Sequence, residues 1–186
     1  MKQPLSCKNQ YYCLMEGQIS NNGGNCEMET KISFEQFLEK VDVNYVDYIQ
    51  DLHNYLINNG CKVSFELKKS EFIGAYRHPK SRREAITIFL TDDSMRIRIF
   101  GENANTYLDF LETLPDEMVE TIDKAANCMS LINGTCGPNC SGYDVKIKNA
   151  HFQKCRYSGF EFPVTEQNRS VIKSFIEKEL GKRQTL

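Results

Sequence analysis

The sequence predicts an α+β fold: an antiparallel β-meander packed with helices, followed by a cysteine loop, a β-hairpin and a last helix. Three observations lead there. Between Cys61 and Phe100 apolar and polar residues alternate in four short runs, the pattern of strands with one buried face and one wet face. On either side, apolar residues recur at helical spacing. Asp92-Asp93-Ser94 supplies a tight connection between the last two strand runs.

Residues 1–30 read as a loop-rich extension to a single domain over 31–186. Cys7, Cys13 and Cys26 are set among polar residues there, with an Asn21-Asn22-Gly23-Gly24-Asn25 turn cluster. Their irregular spacing makes no metal motif, and they read as free thiols. Ser33 followed by Gln36 forms a capping box, ahead of Phe34, Phe37, Leu38 and Val41 on one helical face. Asn44 is placed to cap a second helix with the stripe Tyr45, Ile49, Leu52 and Leu56, ending at Asn59-Gly60. His53 falls beside that stripe and reads as a solvated group.

The strand runs come next: Val63, Phe65 and Leu67; Phe72 to Arg77; Ile86, Ile88 and Leu90; Met95, Ile97 and Ile99. Helical spacing returns at Tyr107, Leu108, Leu111 and Leu114, with Pro115 opening another helix. Met118, Val119, Ile122, Ala125 and Ala126 carry that helix into Cys128. Tyr143-Val145-Ile147 and 151–162 form the hairpin, turning near Asn149. Thr165 caps a final helix with Val171, Ile172, Phe175, Ile176 and Leu180 inward, stopping at Gly181.

With 186 residues, 40% hydrophobic and 26% charged, the chain can bury a core and is not of disordered composition. No apolar run reaches the roughly 18 residues of a membrane span. The N-terminus lacks the apolar core of a signal peptide, so a cytoplasmic protein is expected. A formal charge of −2 gives no global attraction to polyanions.

A reducing compartment changes the meaning of eight cysteines, because clustered thiols there bind metal or do redox chemistry more often than they form disulfides. Cys128, Cys136, Cys140 and Cys155 fall within the 128–160 cysteine and hairpin subregion, spaced C-x7-C-x3-C-x14-C. Gly137-Pro138 bends the chain between Cys136 and Cys140. Four thiolates suit one tetrahedral Zn²⁺ with bonds of about 2.3 Å, which would order a polar loop that has little apolar core of its own. Against this, the C-x2-C knuckles of zinc ribbons are missing, and buried cysteines are common without any metal. His151 is a substitute ligand.

A second candidate is the turn at 77–83, where Arg77, His78, Lys80, Arg82 and Arg83 stand close together. With Arg96 and Arg98 on a neighbouring strand, they could form an anion-binding patch at one sheet end. The other reading is a solvated turn whose charge discourages edge pairing. Aromatic interleaving of the single-strand-binding kind is weak, with Phe72 and Tyr76 alone nearby.

Tyr107-x-Asp109-Phe110-Leu111-x-Thr113-Leu114-Pro115, Cys136-x3-Cys140-x2-Tyr143 and Lys154-Cys155-Arg156-Tyr157-x2-Phe160-x-Phe162 together resemble a family of small cysteine-containing bacterial proteins, chiefly from anaerobic Firmicutes. The resemblance runs from near Phe34 onward. It implies no activity and no catalytic residues, and it makes the cysteines and the Lys-Cys-Arg-Tyr strand look like one unit.

The sequence carries no G-x-S-x-G, P-loop, G-x-G-x-x-G, H-E-x-x-H or C-x-x-C pattern. The reading is therefore a binding protein held together by structural zinc, whose ligand is a small anionic molecule or a protein partner on the partly exposed sheet face. One alternative is a thiol-based redox sensor or enzyme using Cys155, activated by Lys154 and Arg156. Another is nucleic-acid binding through the 77–83 turn.

Overall fold

Ser33 and Gln36 exchange hydrogen bonds. The Gln36 N–H donates to Ser33 Oγ at 3.2 Å, and the Ser33 N–H donates to the Gln36 side chain at 2.9 Å. This reciprocal cap starts α1 (Phe34–Leu38). The computed structural model describes residues 29–136 and 140–184. Asn44 does not cap the next helix. Asp42 accepts from the Asn44 N–H at 2.8 Å and opens a single 3-10 turn, so α2 (Val46–Asn58) begins only after Tyr45. Gly60, at φ +79°, then turns the chain out of the helix.

The sheet has six strands: β1 (Glu29–Ile32), β2 (Lys62–Lys68), β3 (Glu71–Arg77), β4 (Glu84–Leu90), β5 (Met95–Ile99) and β8 (Glu161–Pro163). They lie in the order β1-β2-β3-β4-β5-β8, with every neighbour antiparallel. The four-strand meander is therefore as predicted, with one strand added at each edge. β1 begins inside the stretch whose composition marks it as loop-rich. β8 comes from the far end of the expected 151–162 strand.

That segment is interrupted. β6 (Tyr143–Ile147) and β7 (Ala150–Lys154) form the hairpin, turning on Lys148 and Asn149, both at positive φ, as a two-residue turn requires. The chain then folds back at Cys155, whose carbonyl accepts from the N–H groups of Ser158 and Gly159 at 3.1 and 2.7 Å, and only afterwards enters the main sheet. Gly159 is required at this bend, because a Cβ there would meet Tyr143 at 2.6 Å.

α3 (Leu108–Leu111) and α4 (Asp116–Lys124) follow the meander, with Pro115 immediately ahead of α4. The helix does not run to Cys128, because Ala125 is already extended at ψ 154°. A separate short helix, α5 (Met129–Asn133), starts after Cys128. Thr165 and Asn168 cap each other at the approach to α6 (Arg169–Gln184). Gly181 lies inside α6 rather than ending it.

One sheet face is packed under helices. Phe37, Ile49, Leu52 and Leu56 join Phe65 and Tyr76, while Ile172, Phe175 and Ile176 join Ile97, Ile99 and Phe162 in one continuous core. Each such side chain contributes roughly 1.5–3 kcal/mol on burial. His53 belongs to this layer and is not a solvated group. It stacks on Phe34 at 3.8 Å between centroids, and its Nδ1 lies 2.9 Å from the Tyr76 hydroxyl. Burial lowers its pKa, with Glu35 opposing.

The end of α6 is tied to the sheet by charge. Glu179, fully buried, accepts from Arg183 Nε at 2.7 Å, Tyr107 Oη at 2.5 Å and Asn103 Nδ2 at 3.1 Å. Arg183 in turn donates to the Phe100 carbonyl at 2.5 Å. Such a pair is tolerable in a dry interior because its hydrogen bonds are nearly all met. Among the described residues no helix is long and apolar enough to cross a membrane.

Candidate functional site

The cysteine segment is organised by a short piece of extended chain. Asn127 bridges Lys154 in antiparallel fashion, with the Cys128 N–H donating to the Gln153 carbonyl and the Cys155 N–H to the Ala126 carbonyl, both at 2.8 Å. Side chains alternate across an extended pair. Cys128 and Cys155 therefore share the face opposite Asn127 and Lys154, in diagonal positions. Cys128 is buried and Cys155 half-buried. Gly142 presses against Cys128, and a Cβ there would stand 2.2 Å from its sulfur and 2.9 Å from the Lys154 carbonyl. The strand leaving Cys140 thus runs directly over the Cys128 sulfur.

Cys136 is exposed and Cys140 half-buried. A hydrogen bond with Cys136 raises the Cys140 thiol pKa, helped by desolvation and then by the negative charge of Cys136, Cys128 and Cys155. Cys140 thus lies within electrostatic reach of the other three. Among the described residues, no three or more His, Cys, Asp or Glu side chains are already gathered as a cation cage. Residues 137–139, which include the predicted Gly137-Pro138 bend, lie outside the described residues, as do Cys7, Cys13 and Cys26. Four cysteines are the kind of donor set that a thiophilic divalent cation takes once their thiols are deprotonated. His151 is directed elsewhere, with Nε2 2.5 Å from Asp144 on the exposed hairpin surface.

The two cations beside Cys155 have other partners. Lys154 Nζ donates to the carbonyls of Asp123 at 2.6 Å and Ala125 at 3.1 Å, and to Asn127 Oδ1 at 2.9 Å. It caps the end of α4. Arg156 reaches Glu102 at 3.2 Å and lies over the Phe100 and Tyr157 rings.

The cationic residues of the second candidate are dispersed. Arg77 pairs with Glu84 at 3.7 Å, and Lys80 donates to the Gln184 carbonyl at 2.9 Å. Arg82 occupies the left-handed turn position at φ +56°, its N–H on the His78 carbonyl. Arg83 reaches Glu102 at 3.4 Å. Arg96 is paired with Phe89 in the middle of the sheet register and bonds Glu71 and Glu161, while Arg98 bonds Glu161 at 2.6 and 2.8 Å. Both guanidiniums lie over the Phe89 ring, at 5.2 and 4.6 Å from its centroid. The turn residues and this pair therefore do not converge on one anion. Arg96 and Arg98 roof the second sheet face, leaving Phe89 and Thr87 buried beneath them.

The structure adds a site that the sequence does not announce. Arg83, Glu102, Ser141, Gly142, Tyr143 and Arg156 line a cavity of about 230 Å³. Its residues come from four separate stretches of chain. A charge pattern spread so widely leaves no local motif.

The fold and site together define an α+β chain, its antiparallel sheet covered by helices on one face, with a thiol-rich segment beside a hairpin. No family model, curated protein or solved structure matches it.

Proposed function

We propose a binding protein whose C-terminal half is organised by one structural Zn²⁺ held by Cys128, Cys136, Cys140 and Cys155. The supporting observation is that Cys128 and Cys155 share one face of a backbone bridge, with Gly142 packed on the Cys128 sulfur and Cys140 within electrostatic reach of Cys128, Cys136 and Cys155. Zn²⁺ bound by four thiolates has no open position for substrate, so the metal acts on folding rather than on chemistry. Its ligand is a small anionic molecule, with a protein partner on the Arg96 and Arg98 sheet face as the other candidate class.

Metal analysis of the native chain, with thiol titration before and after chelation, tests the zinc. One zinc per chain, and four thiols that react only after chelation, is the expected result. Full thiol reactivity without a chelator and no bound metal would remove the reading.

A redox or enzymatic role for Cys155 is the rival from another class. Its warrant was cationic activation by Lys154 and Arg156, and both side chains are engaged with α4 and Glu102 instead. Peroxide consumption abolished by Cys155→Ser in an otherwise folded protein would favour it. Nucleic-acid binding through the 77–83 turn has less support, with Arg77 and Lys80 each paired within the protein.

A further inference from the structure

Arg156 is unusual among the arginines here. Its side chain is only 14% exposed, yet among the described residues only one of its five N–H donors, on a terminal nitrogen, has a protein acceptor, Glu102 at 3.2 Å. The guanidinium is held by the rings of Phe100 and Tyr157, 5.5 and 5.6 Å away, which fixes its plane without using its donors. It borders the cavity of about 230 Å³, and Arg83 borders the same space.

The carboxylates near these donors are already shared. Glu102 stands among three guanidiniums, with Arg83 and Arg156 on one oxygen and Arg183 at 3.6 Å from the other. Asp144 also lines the cavity, but its carboxylate accepts from His151 and Gln153 on β7. Guanidinium groups donate and never accept, so the ligand that satisfies them must bring acceptors. A planar or tetrahedral oxyanion matches the fork of donors.

We propose that this cavity binds a small oxyanion, a carboxylate or a phosphate, seated on Arg156 with Arg83 as its second cationic wall. Glu102 is the internal carboxylate with which the ligand competes. The space is smaller than the usual range for drug-sized ligands, about 300–1,000 Å³, which restricts the ligand to a few heavy atoms beyond the anionic group. This inference rests on the binding-protein part of the proposed function and not on its zinc.

The test is calorimetric or NMR titration of the full chain with inorganic phosphate and, separately, with succinate, at constant ionic strength. Saturable binding of one of them is expected, and which one saturates identifies the anion. Arg156→Gln should weaken it by about tenfold and Arg83→Gln by roughly threefold. Arg77→Gln, which alters a cation outside the cavity, should leave it unchanged. Arg83 is 65% exposed, so its replacement tests the site even if Arg156→Gln disturbs packing. Failure of both anions to saturate would overturn the proposal, as would an unchanged affinity in Arg83→Gln or an equal loss in Arg77→Gln. Zinc content measured on the same samples keeps the two readings apart. Anion binding without zinc counts against the metal alone, and zinc without anion binding counts against this cavity alone.

Discussion

Lys154 and Asn127 are joined twice, by an antiparallel backbone bridge and by a bond of 2.9 Å from Nζ to Oδ1. The same ammonium satisfies the Asp123 and Ala125 carbonyls at the end of α4. One buried cation thus fixes a helix end, the bridge strand and, through the next residue on each chain segment, the spacing of Cys128 and Cys155.

Lys154→Met keeps the bulk and removes all three bonds. Orphaned buried acceptors cost about 1–3 kcal/mol each, and part of that is recovered where water can enter. We expect a loss of roughly 2–4 kcal/mol in denaturant unfolding, with an unchanged m-value. A loss under about 0.5 kcal/mol, the size of an ordinary surface change, would show that the cap contributes little.

The thiol segment and the meander should respond separately to loss of metal. Metal-binding free energy is folding free energy for the part it organises. Cys136→Ala and Cys155→Ala should each abolish zinc binding and release amide protection across 128–160, while 62–99 stays protected. Hydrogen exchange reads both regions at once. Protection across 128–160 surviving in both variants would exclude structural zinc.

Two glycines make an opposed pair. At Gly142 a methyl group would overlap the Cys128 sulfur and the Lys154 carbonyl, so Gly142→Ala should cost about 1–3 kcal/mol and shift the thiol pattern of the segment. At Gly181, inside α6, a Cβ meets nothing within 4 Å. Gly181→Ala should therefore stabilise by roughly 0.5–1 kcal/mol through helix propensity. Thermal melts of the two variants moving in the same direction would contradict this account.

Alkaline pH should unfold the protein cooperatively. Burial raises the phenol pKa of Tyr48, Tyr76, Tyr107 and Tyr143 above the ordinary value of 10. A folded pKa above the unfolded one means that these groups contribute fully below pH 10. Their contribution falls as pH rises from there through the folded values. Phenolate absorbance should show the exposed tyrosines titrating first and these four appearing together with loss of secondary structure. Titration of all the tyrosines near pH 10 in the folded state would disprove it.

The meander was legible in the sequence because β2 and β5 alternate, turn residues separate its runs, and its neighbours in space are its neighbours in the chain, even though β4 is buried on both faces. β1 escaped notice because four residues carry too little alternation to stand out from a polar extension. The break at Cys155 was hidden for another reason: Phe152, Phe160 and Phe162 keep an even spacing across a turn, which mimics one long strand. The carbonyls at the early end of α4 are met by Lys154, a residue remote in sequence. The four cysteines could be grouped by spacing, whereas the cavity could not, since Arg83, Glu102 and Arg156 meet only after the sheet and hairpin have formed. His53 was misread because its partners, Phe34 and Tyr76, come from outside its helix.

The late arrival of β8 gives Arg96 and Arg98 a second significance during synthesis. β2 to β5 leave the ribosome as a consecutive run, but the partner of β5 follows only after the helices, the cysteine segment and the hairpin. Until then Met95–Ile99 is an unpaired strand edge with Met95, Ile97 and Ile99 on one face, a template for pairing with another nascent chain. Two arginines on the opposite face of a five-residue strand make that pairing repulsive. When Glu161 docks, it bonds both arginines, completes with Glu71 the balance of their charge, and pairs the edge in the same step.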